Sequence, residues 1–432
     1  MKILFRFPQR LCYLRPPTTD EGDPSITAPA PFCAVIGAGP AGLIAADVLS
    51  RAGARVTVFD HRPSPARKFL MAGRGGLNLT HSEPLELLLT RYGAAATRLE
   101  PIIRAFPPER LREFCAELGE ETFVGSSGRV FPKNFKASPL LRAWLARLAA
   151  QGVAFETRHD FEGFASDGTL KLRGPLGEKI TLSPGAVVLA LGGASWPRLG
   201  SDGGWVGALA SLGVAMTPLA PANCGALIRW SDHFRDNFEG QPIKTIRLTH
   251  ELHKARGDVV VTRRGLEGGP VYALASGLRE ALRRDGTATL LLDLRPDAPE
   301  AELSRKLERE RGKQSLSTFL RKSLGLAKID IALLHETSGA LPNRPDALAA
   351  RIKNLPLAIE GVAGFERAIS TSGGVRFDEL DETLMLKKRP GVFLAGEMLD
   401  FDAPTGGYLL QAAFSTGFAA GKGAADFLKL GA

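Results

Sequence analysis

Residues 32–42 limit what this chain can fold into more than any other stretch. Phe32-Cys33-Ala34-Val35-Ile36 is a short apolar run that reads as a buried strand. Gly37-Ala38-Gly39-Pro40-Ala41-Gly42 follows as a G-x-G-x-x-G turn, and residues 43–50 continue with helical character. A second apolar strand, 55–59, ends on Asp60. In such a unit Gly37 permits the tight turn, Gly39 lets backbone approach a pyrophosphate, and Gly42 lets helix and strand pack closely. The pyrophosphate then sits on the free N–H groups at the positive end of the helix. Asp60 is placed to accept hydrogen bonds from ribose hydroxyls. The glycines alone carry little, because with 48 Gly in 432 residues the pattern arises by chance roughly 0.6 times per chain. The strand before, the helix after and the acid 18 residues beyond Gly42 supply the context that chance does not.

At this length one core is not expected, and two or three structural units are. No apolar run reaches about 18 residues, so a membrane-spanning helix is not expected. Cys12, Cys33, Cys115 and Cys224 are scattered without a C-x-x-C pair. That argues against a disulfide framework and against a metal site, and fits a reducing, cytoplasmic setting. Net charge is +9, with basic clusters at 62–74, 244–264, 305–311 and 387–389. These read either as a solvated surface or as a footprint for an anionic cofactor, substrate or nucleic acid.

Residues 1–31, with six prolines and three spread arginines, read as a disordered leader. The loop 67–81 is long, basic and glycine-rich; Gly73, Gly75, Gly76, Arg74 and Asn78 suit a phosphate- or ring-wrapping segment. Residues 83–120 read as helical, 123–132 as a short hairpin and 139–150 as an amphipathic helix. Val187 to Gly193 is a buried strand ending in glycines, and Gly391 to Glu397 is another that meets a carboxylate. Between them, 196–299 reads as a β-rich insertion, and 300–362, which shows no strand signal, as a small helical unit. The apolar, small-residue stretch 409–428 reads as a helix that packs closely, its N-terminus offering a positive dipole end to a cofactor ring. The fold class is therefore α/β: a Rossmann-like domain from both chain ends, 32–195 and 363–432, with the two inserted units.

Taken together, several blocks resemble the BaiN/YhiN-type flavoproteins of the two-dinucleotide-binding-fold class, also described as NAD(P)/FAD-dependent or aminoacetone-oxidase-like oxidoreductases. The blocks are Val35 to Gly42, Gly73 to Thr80, Gly128 to Pro132, Ala190 to Pro197 with Gly200-Ser201, Gly265 to Pro270, Thr371 to Val375, Ala395 to Asp400, and Thr405 to Tyr408 with Gln411. The resemblance implies FAD, held by Gly37, Gly39, Pro40, Ala41, Gly42, Asp60 and His61. It adds the loop Gly73, Arg74, Gly75, Gly76 and Asn78, then Phe161 and Gly192. Gly396 and Glu397 fall on the ribityl-phosphate part, and Gly406, Gly407 and Tyr408 beside the flavin ring. Two positions depart from the pattern. Leu77 stands where many members have Cys, and Leu191 where Thr is common.

Flavin chemistry leaves three reactions open. One is a reductase or dehydrogenase of a small unsaturated or carbonyl-bearing molecule, with NAD(P)H as candidate donor. The second is a small-amine oxidase using oxygen, and the third a uridine-reducing enzyme acting on ribosomal RNA. No second G-x-G-x-x-G marks a nicotinamide site, and no H-E-x-x-H marks metal chemistry. Asn78, His81, Arg129 and Glu267 are the candidate groups facing the substrate.

Overall fold

The computed structural model describes residues 30–337 and 340–430, and the backbone but not the side chain of Arg74. The reading of 1–31 as a leader thus falls almost wholly outside the described residues. Five parallel strands form the organising sheet: β1 (Phe32–Ile36), β2 (Arg55–Asp60), β3 (Ala154–Thr157), β4 (Ala186–Leu189) and β5 (Val392–Leu394), in the order β5-β4-β1-β2-β3. Val35 pairs with both Val188 and Val58, which fixes the register at the centre. Residues 33–36 are at most 2% exposed, so β1 is covered on both faces and needs an unbroken apolar run.

Helix α1 (Pro40–Arg51) covers one face together with the closing helix α2 (Tyr408–Phe427). Helices Leu85–Thr90, Ala96–Ala105 and Pro108–Glu117 occupy the stretch read as helical, and strands Thr122–Val124 and Arg129–Pro132 form the expected hairpin. Thr80–His81 adds a third strand to that hairpin.

Strands Met216–Ala222 and Ser370–Val375 pair as a two-stranded ribbon at the two ends of the insertion. The insertion itself holds a seven-stranded sheet, antiparallel in each of its pairs, with its own hydrophobic cluster. Three features differ from the sequence reading. Leu355–Ile359 is a strand paired with Ala288–Asp293, not part of a helical unit. Gly269–Asp285 is a 17-residue helix, with Pro270 in its first turn, inside the stretch read as β-rich. Trp205, Leu209 and Val214, which the sequence assigned to the insertion, pack into the first core. Among the described residues no helix is long and apolar enough to cross a membrane.

Candidate cofactor and substrate site

The C-terminal ends of β1, β4 and β5 open onto one cavity of about 700 Å³. That is the edge at which an open parallel sheet binds its ligand. The turn after β1 is built by exclusion. Gly37 sits at φ +103°, and a β-carbon there would stand 2.2 Å from the Ala190 carbonyl oxygen. A β-carbon on Gly42 would stand 1.9 Å from the Gly37 carbonyl oxygen. At Gly39 nothing lies within 4 Å, because that position faces the cavity. No side chain caps α1, so its first N–H groups remain available to an anion.

Asp60, at the end of β2, lines the cavity. Its carboxylate accepts from the Ala38 N–H at 2.8 Å and the Arg62 N–H at 2.7 Å. Burial raises its pKa, and those two backbone bonds work in the opposite direction. Beside it, His61 Nε2 lies 3.0 Å from the Gly200 carbonyl, and Phe161 contributes an apolar wall. Gly192, at φ +71°, lines the cavity too; its carbonyl accepts from Trp205 Nε1 at 2.9 Å.

Further along, Glu397 is one-tenth exposed and surrounded by donors. Lys68 Nζ reaches its Oε2 at 2.6 Å, and the Thr371 N–H reaches Oε1 at 3.0 Å. At the far end lie Gly76, Asn78 and Arg129 with the turn Thr405-Gly406-Gly407. Gly407 presses on the strand beside it: a β-carbon there would stand 2.6 Å from Thr80 Cα.

The site residues expected from sequence do not all reach the cavity. Gly37, Gly39, Pro40, Ala41, Asp60, His61, Gly76, Asn78, Phe161, Gly192, Gly396, Glu397, Gly406 and Gly407 line it, as does Arg129. Gly42 and Gly73 act one layer back: Gly73 leaves only 2.7 Å between an added β-carbon and Ala137 Cβ. Gly75 stands in the 3-10 turn Gly73–Gly75 and is likewise not a lining residue.

Three expectations need correction. Tyr408 turns away from the cavity; its hydroxyl donates to Glu83 at 2.7 Å and its ring stacks on His81 at 5.4 Å. His81 uses both ring nitrogens, Nδ1 accepting from the Glu83 N–H and Nε2 donating to the Ser127 carbonyl, so it closes a turn. Glu267 accepts from the Tyr272 hydroxyl at 2.7 Å inside the insertion and does not line the cavity. Lys68, Arg62 and Asn223 line it without having been singled out from sequence, and Ser201, which entered only within a resemblance block, lines it too. Only the basic composition of 62–74 hinted at the first two.

The residues present fit a dinucleotide. Three buried polar atoms without a protein partner, Arg62 Nε, Asn78 Oδ1 and Ser201 Oγ, all belong to residues of the cavity wall. Buried polar groups left unpaired are costly, so a polar ligand along this wall would satisfy them. No group of three or more His, Cys, Asp or Glu residues that could hold a metal occurs among the described residues.

Fold and site define an FAD-dependent oxidoreductase built on a Rossmann-type sheet. The chain belongs to the HI0933-like family: the model for the HI0933-like protein Rossmann domain matches residues 32–423. Among curated relatives, the 3-dehydro-bile acid delta(4,6)-reductase of Clostridium scindens is 25% identical over 407 residues, covering 91% of this chain and 98% of that one. The ribosomal RNA dihydrouridine synthase of Escherichia coli is also 25% identical, covering 89% and 96%. Among solved structures, the 3-ketosteroid delta1-dehydrogenase of Sterolibacterium denitrificans shares the fold at TM-score 0.53 and 12% identity, covering 92% of this chain and all of that one.

Proposed function

We propose that this protein reduces a carbon–carbon double bond conjugated to a carbonyl in a small molecule, with NADH or NADPH as donor. The observation that carries this reading is the far end of the cavity. There the buried Asn78 Oδ1 has no partner, and the exposed Arg129, which has no hydrogen-bond or ion-pair partner among the described residues, lines the same cavity with the Thr405–Gly407 turn. A conjugated carbonyl needs a donor at its oxygen so that charge arriving at the β-carbon is delocalised. The names of the two relatives fit the same chemistry, since a 3-oxo Δ4 system and a uracil ring both carry a conjugated carbonyl.

FAD would be held by the turn 37–42, Asp60, His61, Phe161 and Glu397, and when bound would supply hydride chemistry. The chain's own groups do the rest. Arg129 binds and polarises the substrate oxygen. Ser370 accepts from Asn223 Nδ2, which leaves its own hydroxyl proton free for donation into the cavity. The N-terminus of α2, next to Gly407, favours negative charge near the ring.

The test is anaerobic addition of NADH or NADPH to the flavin-loaded protein, followed by 2-cyclohexenone and, separately, ribosomal RNA. Bleaching followed by reoxidation with the enone is expected. Reoxidation by RNA alone would move the substrate to the uridine ring, a reading with which the +9 charge is compatible. Peroxide made from aminoacetone in air without nicotinamide would overturn the proposal.

A further inference from the structure

Lys68 occupies a place in the cavity that the glycine turn and the acids do not explain. It lies in the first turn of the helix Arg67–Ala72 and lines the cavity. Its ammonium donates to Glu397 Oε2 and to Ser195 Oγ, each at 2.6 Å. An ammonium carries three donors, so one remains. Glu397 does not depend on Lys68 alone, because the Thr371 and Gly193 N–H groups also reach it at 3.0 and 3.4 Å.

The position along the cavity is set by Gly396. A β-carbon there would stand 2.9 Å from Ala41 Cβ, in the first turn of α1. The Lys68–Glu397 pair therefore lies beside the helix end that would receive a pyrophosphate. Charge balance at that spot is unfavourable without a cation. A dianionic group would enter a wall already carrying Asp60 and Glu397, while a helix N-terminus offers only about half a charge. Arg62 and Arg67 line the same cavity, but each already gives one nitrogen to a neutral partner, Arg62 Nη2 to the Pro197 carbonyl and Arg67 Nε to Ser64 Oγ. Neither bonds Glu397, and Arg62 keeps its unpartnered Nε for the ligand.

We propose that Lys68 is a cofactor-binding residue whose ammonium offsets the FAD pyrophosphate while remaining paired with Glu397. The proposal rests on the cofactor placement given above. The bland alternative is a latch that only joins the helix Arg67–Ala72 to Glu397 and Ser195.

FAD titrated into flavin-free protein, followed by quenching of flavin fluorescence at low and high salt, separates the two. Lys68→Met is expected to raise the Kd roughly tenfold or more, the value of a charge-assisted hydrogen bond. Lys68→Arg should retain most of the affinity. The double variant Lys68→Met/Glu397→Gln removes the buried carboxylate charge left alone by the first change, and should still bind weakly because no cation returns. Wild-type affinity should fall with salt more steeply than that of either Met variant. An unchanged Kd in Lys68→Met, full recovery in the double variant, or an unchanged salt dependence would each overturn the proposal. Failure of the wild type to bind FAD would instead remove the cofactor placement itself.

Discussion

Gly417 of α2 lies against Ala41 in the first turn of α1, so closely that a β-carbon at 417 would stand 2.3 Å from the Ala41 carbonyl oxygen. Ile44 Cγ2 would be 2.5 Å away. Gly417→Ala is therefore expected to force the helices apart and cost about 1–3 kcal/mol, the usual range for overpacking. Urea unfolding of the variant measures this directly. An unchanged midpoint would mean that the two helices slide freely.

Gly39 and Gly42 belong to one motif yet predict opposite phenotypes. Gly39 has φ −81°, tolerable for any residue, and open space around it. Gly39→Ala should leave stability intact and weaken FAD roughly tenfold, by pushing a methyl group into the pyrophosphate's place. Gly42→Ala meets the Gly37 carbonyl oxygen and should unfold more readily. Thermal melts and FAD titrations on both variants should show this crossed pattern.

Arg129→Met isolates the proposed chemistry. Loss of a donor aimed at developing charge lowers turnover roughly hundredfold, so kcat/KM for 2-cyclohexenone should fall by about that factor. The rate of flavin bleaching by the nicotinamide should stay unchanged, because that half-reaction develops no charge on a substrate carbonyl. Equal loss in both half-reactions would show Arg129 to be structural.

Glu83 links pH to the integrity of the ring end. The Arg91 guanidinium, and then the Tyr408 hydroxyl, hold its carboxyl below the ordinary value of 4.5. A depressed folded pKa means that the stabilisation is complete above the unfolded value and is lost as pH falls through the folded one. Glu83→Gln should therefore flatten the acid side of the stability profile. Melting temperatures followed from neutral pH into the carboxylate range would read it, and parallel acid limbs for both proteins would refute it.

Much of the organising sheet was legible because its signals are local. The run 32–36 is buried on both faces, and the glycines at 37 and 42 are forced by contacts within a few residues or with the adjacent β4. The insertion was harder. Leu355–Ile359 contains Pro356, which argues against a strand unless the strand lies at an edge, and this one does. Gly268-Gly269-Pro270 looks like a turn, yet Pro270 stands in the first turn of a long helix, where its missing N–H costs nothing. At the site, Tyr408 and Lys68 were misjudged or passed over for one reason. Their roles are set by partners such as Glu397, which lies 329 residues from Lys68, and no short-range pattern encodes such a pairing. His81, by contrast, is held by the Glu83 N–H only two residues away.

The place of β5 and α2 also bears on how the protein is made. Both come from the last tenth of the chain, yet β5 completes the sheet beside β4, and α2 covers α1, the first helix among the described residues. Contacts of such long sequence separation form slowly. A chain that emerges N-terminus first has four of the five strands but lacks β5, α2 and the Gly396, Glu397 and Thr405–Gly407 part of the cavity wall. Ligand binding can stabilise only a state that binds. Flavin is therefore expected to bind fully only after this last segment has docked, so the N-terminal fingerprint depends for its use on residues about 350 positions away.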